Sequence, residues 1–349
     1  MQNKRATIYD IAKICKVSPA TVSRVLNNLG YPVSKNTRQL VMEAAEKMHY
    51  TPNAFGINLK LRQCKDIGII VPNISNPYYS SLLQGVYDGA IANGYNIILC
   101  NSYRDPECEE RNIHMLMQKQ VSGIIVISIS KTPSTIQSAL DFGCQVVVVE
   151  QDIDVNCIKV EFDFYKGAYM AVKYLIENNH RKIGFIGAPL DVSSRIKMLD
   201  GYKKCLADHG VPVNEDYIKL STLALEKDYG QIYEITNGKN IANEFIAMED
   251  RPTGYICIND MSALSAMDQF LKNGFRIPED ISIIGFDNLP YSQISTPKLT
   301  TIDQRVNDMG AISIKLLMEC IEDPNSCHYS VRLEPSLIER GSVKKIEEN

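Results

Sequence analysis

The chain has 349 residues, among them no tryptophan, only five histidines and no long apolar run. Each shortage closes off a class of function. The apolar stretches Gly123–Ser128 and Val146–Val149 fall far short of the roughly 20 residues that a helix needs to cross a bilayer. The ten cysteines never form a CxxC pair and show no zinc-like spacing with histidine, which favours reduced thiols over a metal site. No metal or cofactor is expected. Met1–Asp10 is polar and charged, unlike a secretory signal, so the expected setting is a reducing cytoplasm with no membrane partner. Motifs of the GxSxG, P-loop and HExxH kinds are missing. One enzymatic pattern remains, because Tyr169 and Lys173 have the YxxxK spacing of short-chain dehydrogenases. The first body strand, however, ends in Val71-Pro72-Asn73, without the glycine-rich turn that a dinucleotide requires. The two residues are expected to share a helix face without chemistry, and the chain is not expected to be an enzyme.

What is present is an uneven distribution of charge. Residues 1–62 hold ten Lys/Arg and three Asp/Glu, a net of +7, out of totals of 37 and 41, which leaves −11 for residues 63–349. A small basic head on an acidic body points to a polyanionic partner for the head alone.

Within that head, Thr7–Asn27 reads as two short helices around a tight turn. Thr7 can cap the first, with Asp10 completing a near capping box. Ile8, Ile11, Ala12 and Cys15 then recur at helical spacing. Ser18 can cap the second, with Pro19 at its first position, where the missing N–H costs nothing. Val22, Val25 and Leu26 form its apolar side, while Ala20, Thr21, Arg24 and Asn27 face outward. A third helix follows Ser34, with Leu40, Val41, Ala44, Ala45 and Met48 on one face. This is the pattern of a helix-turn-helix whose second helix enters the major groove of double-stranded DNA. Arg24 is suited to a bidentate bond to a guanine edge. Thr7, Ser18, Thr21, Ser23, Asn27, Ser34, Tyr50 and Asn53 suit contacts that set register on the duplex.

From Cys64 onward, short β-rich runs alternate with helical stretches, the signature of parallel sheets covered by helices. Strands are expected at Asp66–Val71, Tyr95–Cys100, Gly123–Ser128, Gln145–Glu150, Lys182–Ile186, Ile218–Leu220, Gly254–Ile258 and Ile281–Phe286. The length of this α/β alternation calls for two doubly wound subdomains.

TIYDIA, VSPATVSRVLN, the VS-K-TR stretch from Val33, and YTPN followed five residues later by Leu59 together resemble the LacI/GalR family of bacterial transcription regulators. The body adds IGIIVPNISNPYY, VSGIIV, DFYKGAYMA, INDMSA, IIGFDN and PKLTTIDQ in the family's order. The resemblance implies a helix-turn-helix head at residues 1–50 and a hinge helix at 51–62, with Leu59 as the side chain wedged into the minor groove. It implies a periplasmic-binding-protein-like body at 63–340. One lobe would comprise about 63–162 and 291–322, the other about 163–290 and 323–340, with a charged tail at 341–349. Pro19 and Ala20 stand where the family reads bases, and neither side chain can hydrogen-bond one.

The family's effector lies between the lobes, at the C-terminal ends of strands. That implies Tyr78, Tyr79, Asn259, Asp260 and Asp287 as contacts, with aromatic faces for a sugar ring and Asp or Asn for its hydroxyls. The three Asx residues are equally suited to capping helices and loops. The family's clamp arginine aligns with Met198; Arg195, one turn earlier, either replaces it or is a surface charge.

The expected function is therefore a homodimeric, ligand-responsive repressor on a near-palindromic operator, with a sugar-like effector. Two alternatives are a catabolite-type regulator controlled by a phosphocarrier protein and a small-molecule receptor without DNA function. Gly56 and Ile57 replace better helix formers in the hinge, and glycine inside a helix costs about 1 kcal/mol relative to alanine. Gly56→Ala should tighten operator binding in a gel shift. Full amide protection of 54–60 in the DNA-free protein would contradict a hinge helix that forms only on DNA.

Overall fold

The computed structural model describes residues 6–26, 32–50, 64–130, 132–222, 233–323 and 330–347. The chain divides into two compact units, Met1–Lys65 and Asp66–Asn349.

The first unit contains α1 (Ile8–Cys15), α2 (Pro19–Leu26) and α3 (Lys35–Lys47). Thr7 and Asp10 form a complete capping box: the Asp10 N–H donates to Thr7 Oγ1 at 3.3 Å and the Thr7 N–H to Asp10 Oδ2 at 2.9 Å. Lys16, in the left-handed region at φ 52°, ends α1. Ser18 Oγ accepts from the Thr21 N–H at 3.1 Å, and Ser34 Oγ accepts from the Thr37 N–H at 3.2 Å. The core is Ile11, Ala12, Cys15, Val22, Val25, Val41, Ala44 and Ala45. Leu40, expected on the buried face, is 47% exposed. It lies about 100° around α3 from Val41, off the stripe that Val41, Ala44 and Ala45 define.

The second unit is a pair of doubly wound lobes. The first lobe holds β1 (Asp66–Val71), β2 (Asn96–Asn101), β3 (Gly123–Ile127), β4 (Gln145–Val149) and β5 (Ile158–Phe162). The second holds β6 (Ile183–Gly187), β7 (Ile218–Leu220), β8 (Gly254–Cys257), β9 (Ser282–Asp287) and β10 (Thr300–Asp303). Late in the chain, β11 (Ser330–Leu333) pairs with β5 and β12 (Ser336–Ile338) with β10, giving strand orders β11-β5-β4-β3-β1-β2 and β12-β10-β9-β8-β6-β7. Every pairing is parallel except β10 with β12. The central strands β1, β3, β4, β6, β8 and β9 are buried almost throughout, because helices cover both faces, and they therefore read as continuous apolar runs.

Helices α4 (Pro77–Ala92), α5 (Pro106–Gln118), α6 (Ser134–Asp141) and α12 (Val306–Glu322) cover the first sheet. Helices α7 (Phe164–Glu177), α8 (Ser193–Asp208), α9 (Tyr233–Ile246) and α10 (Asp260–Lys272), with the short α11 (Pro290–Ile294), belong to the second. Helix α9 begins at Tyr233, ahead of Asn237-Gly238. Asn237-Gly238 reads as a turn in sequence, yet Gly238 is needed inside α9: a Cβ there would lie 2.1 Å from the Ser262 carbonyl oxygen of α10.

The lobe boundaries expected from sequence need correction. Residues 291–303, assigned to the first lobe, supply α11 and β10 of the second. Residues 330–333, assigned to the second lobe, form β11 of the first. The chain thus crosses between lobes after β5, after β10 and after β11, and each crossing places a short segment beside the cleft. The tail is also not loose. Ser342 is buried, donates through Oγ to the Ile283 carbonyl at 2.6 Å and accepts from the Thr300 N–H at 2.8 Å. Eight described cysteines are free thiols, whereas Cys320 is disulfide-bonded. Reduced thiols throughout were expected, because spacing along the chain does not reveal which sulfurs meet in space.

Helices α4 and α12 touch backbone to backbone: a Cβ on Gly310 would lie 2.1 Å from the Leu82 carbonyl oxygen, and one on Gly85 2.1 Å from that of Asn307. Gly310→Ala should therefore force the helices apart and destabilise the body by about 2 kcal/mol, measured by urea unfolding. An unchanged midpoint would contradict this packing.

Candidate functional site

In the head, the residues suited to DNA contact sit at helix N-termini and on the outer face of α2. The hydroxyls of Thr7, Ser18 and Ser34 cap α1, α2 and α3, which places them where N–H groups attract phosphate. Ala20 and Arg24 are exposed, while Pro19, Thr21 and Ser23 are half-buried. Tyr50 packs against the head core. Asn27, Asn53, Leu59 and the hinge lie outside the described residues.

In the body, strand ends from both lobes converge on one cavity with about 700 Å³ of empty volume including its mouth. From the first lobe, Asn76 caps α4 by accepting from the Tyr78 N–H at 2.9 Å, which sets Tyr78 and Tyr79 against the cavity with their rings edge to face at 5.3 Å. Ser128 follows β3, Glu150 and Gln151 follow β4, and Arg104 follows β2. From the second lobe come Phe164, Arg195, Met198, Glu234, Asn259 and Asp287, with Gln304 on the second crossing.

Of the six effector residues named from sequence, Tyr78, Tyr79, Arg195, Asn259 and Asp287 line this cavity. Asn259 does so while capping α10, its Oδ1 accepting from the Ser262 N–H at 2.8 Å. Asp260 is not in the lining. It is buried behind the wall, where its carboxylate accepts from the Leu289 N–H at 2.7 Å and Thr301 Oγ1 at 2.5 Å. Arg195 and the aligned Met198 both reach the cavity, with Arg195 held by the Pro189 carbonyl at 3.0 Å and Asp191 at 2.9 Å.

Sequence reading missed Arg104, Glu150, Glu234 and Gln304. Glu150 and Gln304 had a visible signal, since each is a polar residue just past a buried strand. Glu150 is half-buried, in the left-handed region at φ 65°, and accepts from the Tyr78 hydroxyl. Burial pushes its carboxyl up to about 8. Asp287 is also raised well above the carboxylate range, first by burial and then by the neighbouring charges of Asp260 and Glu150. Gln304 donates to Asp287 Oδ1 at 2.6 Å.

Polar contacts tie the lobes across the cavity. Asn76 Nδ2 donates to Glu234 Oε1 at 2.6 Å, Ser193 Oγ to Gln151 Oε1 at 3.0 Å, and Arg104 faces Asp191 at 3.8 Å. The lobes are thus closed on the site. Tyr169 and Lys173 have no part in it: Tyr169 donates to Asp208 and Lys173 pairs with Glu177, both on the surface. Among the described residues no group of His, Cys, Asp and Glu could hold a metal ion, and no helix is long and apolar enough to cross a membrane.

Known proteins share both parts of this architecture. Residues 7–53 match the model of the bacterial regulatory proteins of the lacI family, and residues 172–343 match a periplasmic binding protein-like domain. The HTH-type transcriptional repressor PurR of Mannheimia succiniciproducens is 31% identical over 98% of this chain and 99% of its own, and that of Pasteurella multocida 32% over 97% and 99%. The chain belongs to the LacI family of bacterial transcriptional regulators. Its solved relatives include the lac repressor dimer bound to operator and the anti-inducer ONPF, which shares the fold at TM-score 0.81 and 24% identity over 98% of this chain and all of that one. A LacI family regulator from Enterococcus faecium with bound ribose matches at TM-score 0.72 and 26% identity over 81% of this chain and all of that one. This family member is a ligand-responsive DNA-binding regulator and not an enzyme.

The raised Glu150 carboxyl gives a pH signature. Its ordinary value is 4.5 and the folded value about 8, so the folded state holds the proton more tightly. The stability this contributes is complete below 4.5 and is lost as pH rises through 8. Asp287, raised by burial and by the Asp260 and Glu150 charges, acts in the same sense. The effector-free protein should melt at lower temperature at pH 8.5 than at pH 6. Glu150→Gln should remove much of that slope, on the order of a few kcal/mol; an identical slope in the variant would contradict the assignment.

Proposed function

We propose that this regulator is a repressor. It binds a near-palindromic operator as a homodimer and responds to a small polyhydroxylated effector, a sugar or sugar derivative, held in the interlobe cavity. The observation that carries the reading is the cavity itself. Aromatic faces from Tyr78, Tyr79 and Phe164 stand beside Glu150, Asn259, Asp287 and Gln304, a mixture that suits the C–H face and the hydroxyls of a sugar ring. The solved relative with bound ribose supports the same ligand class.

The mechanism follows from the closed lobes. An effector that joins Asn76, Glu234, Gln151 and Ser193 in bridging the cleft favours one closure angle over another. The hinge segment at 51–62 precedes β1 directly in the chain, so the closure angle in two paired subunits sets the separation of their hinges. The heads then match or miss the two half-sites. Operator binding changes effector affinity by the same factor.

On the DNA side, Arg24 reads a guanine edge, the other head residues set register, and Leu59 wedges the minor groove. Control by a phosphocarrier protein would need a docking surface for which no particular contact speaks.

Arg24→Ala should weaken operator binding about 10- to 100-fold, the ~1–3 kcal/mol of a bidentate base contact. The operator would be selected from genomic fragments with the full-length protein and measured by gel shift at fixed salt. Unchanged thermal melting should accompany the loss. Equal affinity in the variant would remove Arg24 from the reading face.

A further inference from the structure

The cavity wall is unusual in what it lacks. Its inner end brings together Glu150, Asp287 and Gln304, and the donors of Tyr78 and Gln304 are already engaged with the two carboxyls. Tyr78 gives its hydroxyl proton to Glu150, and Gln304 gives its amide N–H to Asp287. Gln304 Oε1 is buried with no hydrogen-bond partner, on a residue only 3% exposed that lines the cavity. Neither Glu150 nor Asp287 forms an ion pair with any described residue, and no described lysine lines the cavity. The two arginines of the lining, Arg104 and Arg195, both face Asp191. Two carboxyl groups and an unpartnered amide oxygen therefore line the same cavity. A buried carboxylate without a cation is costly, and a buried acceptor without a donor costs further.

A neutral sugar leaves both carboxyls in their protonated form, whereas a cation placed between them favours the ionised pair. A primary ammonium group supplies three N–H donors and a full positive charge at one point. The rings of Tyr78, Tyr79 and Phe164 offer cation–π faces beside it. We infer that the effector carries a primary ammonium group set against Glu150, Asp287 and Gln304 Oε1, as in an amino sugar or amino polyol. This rests on the cleft being the effector site and narrows the class of compound that enters it.

The proton balance follows. In the empty cavity the raised Glu150 and Asp287 carboxyls hold protons near neutral pH. An arriving ammonium displaces them to solvent, so binding releases protons and tightens as pH rises. A neutral ligand that accepts from the protonated acids does the reverse.

The test is isothermal titration of the full-length protein with glucosamine, galactosamine and glucamine, beside glucose, galactose and sorbitol. Each is run at pH 5.5 and 7.0, in two buffers of different ionisation enthalpy. At least one amine should bind at least tenfold more tightly than its hydroxyl counterpart. Its affinity should rise several-fold from pH 5.5 to 7.0 with net proton release, and fall at least tenfold in Glu150→Gln/Asp287→Asn. The proton release is read on the unmodified protein, so the result does not depend on that variant folding. Equal or tighter binding of the neutral compounds, weakened by Tyr79→Ala, would overturn the ammonium inference and leave the cleft as effector site. Binding of either class unaffected by both variants, or binding of none, would overturn the sugar-class reading of the cleft as well.

Discussion

The chain passes between the two lobes three times, and this constraint governs the rest of the body. Parallel strands need crossover connections, so a chain that builds two parallel sheets side by side can return to the first only by spanning the gap. The crossings follow β5, β10 and β11. The first and third are neighbours in space: the Asp163 N–H on the first bonds to the Leu333 carbonyl at 3.2 Å, where the third begins. Three tethers allow the lobes to rotate about them while resisting separation. Gln304 lies on the second crossing and holds Asp287, so a ligand that engages either one acts at the pivot of the movement.

Strand direction explains why the chemistry collects there. Both sheets end their strands toward the cleft, and short loops after β1, β2, β3, β4, β8, β9 and β10 each contribute a polar or aromatic side chain. Burial then changes what those side chains are. Glu150 and Asp287 would be ordinary carboxylates in water, but enclosed between lobes they hold protons near neutrality. The same closure that forms the site thus prepares it to exchange those protons for a ligand.

The distinction between Asp260 and Asp287 shows how much depends on a few ångströms. Both stand at strand ends of the second lobe and both are buried, and the Asp260 charge raises the Asp287 carboxyl. Asp287 lines the cavity. Asp260 lies behind it, bonded to Leu289 and Thr301, with the Arg340 charge in range.

Periodicity and caps made the head legible from sequence, because Thr7–Leu26 forms its helices through contacts three and four residues apart. The central strands were legible for a similar reason, since burial on both faces leaves an apolar run. So were the residues at strand ends, Tyr78, Tyr79, Asn259 and Asp287. Other features had no local trace. The helix Val306–Glu322 and the strands Ser330–Leu333 and Ser336–Ile338 take their lobes from pairings with segments far away in the chain. Glu234 reaches the cavity only because α9 packs on α10. The sequence by itself determined the family, the helix-turn-helix and the alternation of strands and helices, all of which rest on short-range patterns. The tertiary structure alone decided which carboxylates share an enclosed space, because desolvation and mutual repulsion depend on distances through the protein rather than along it.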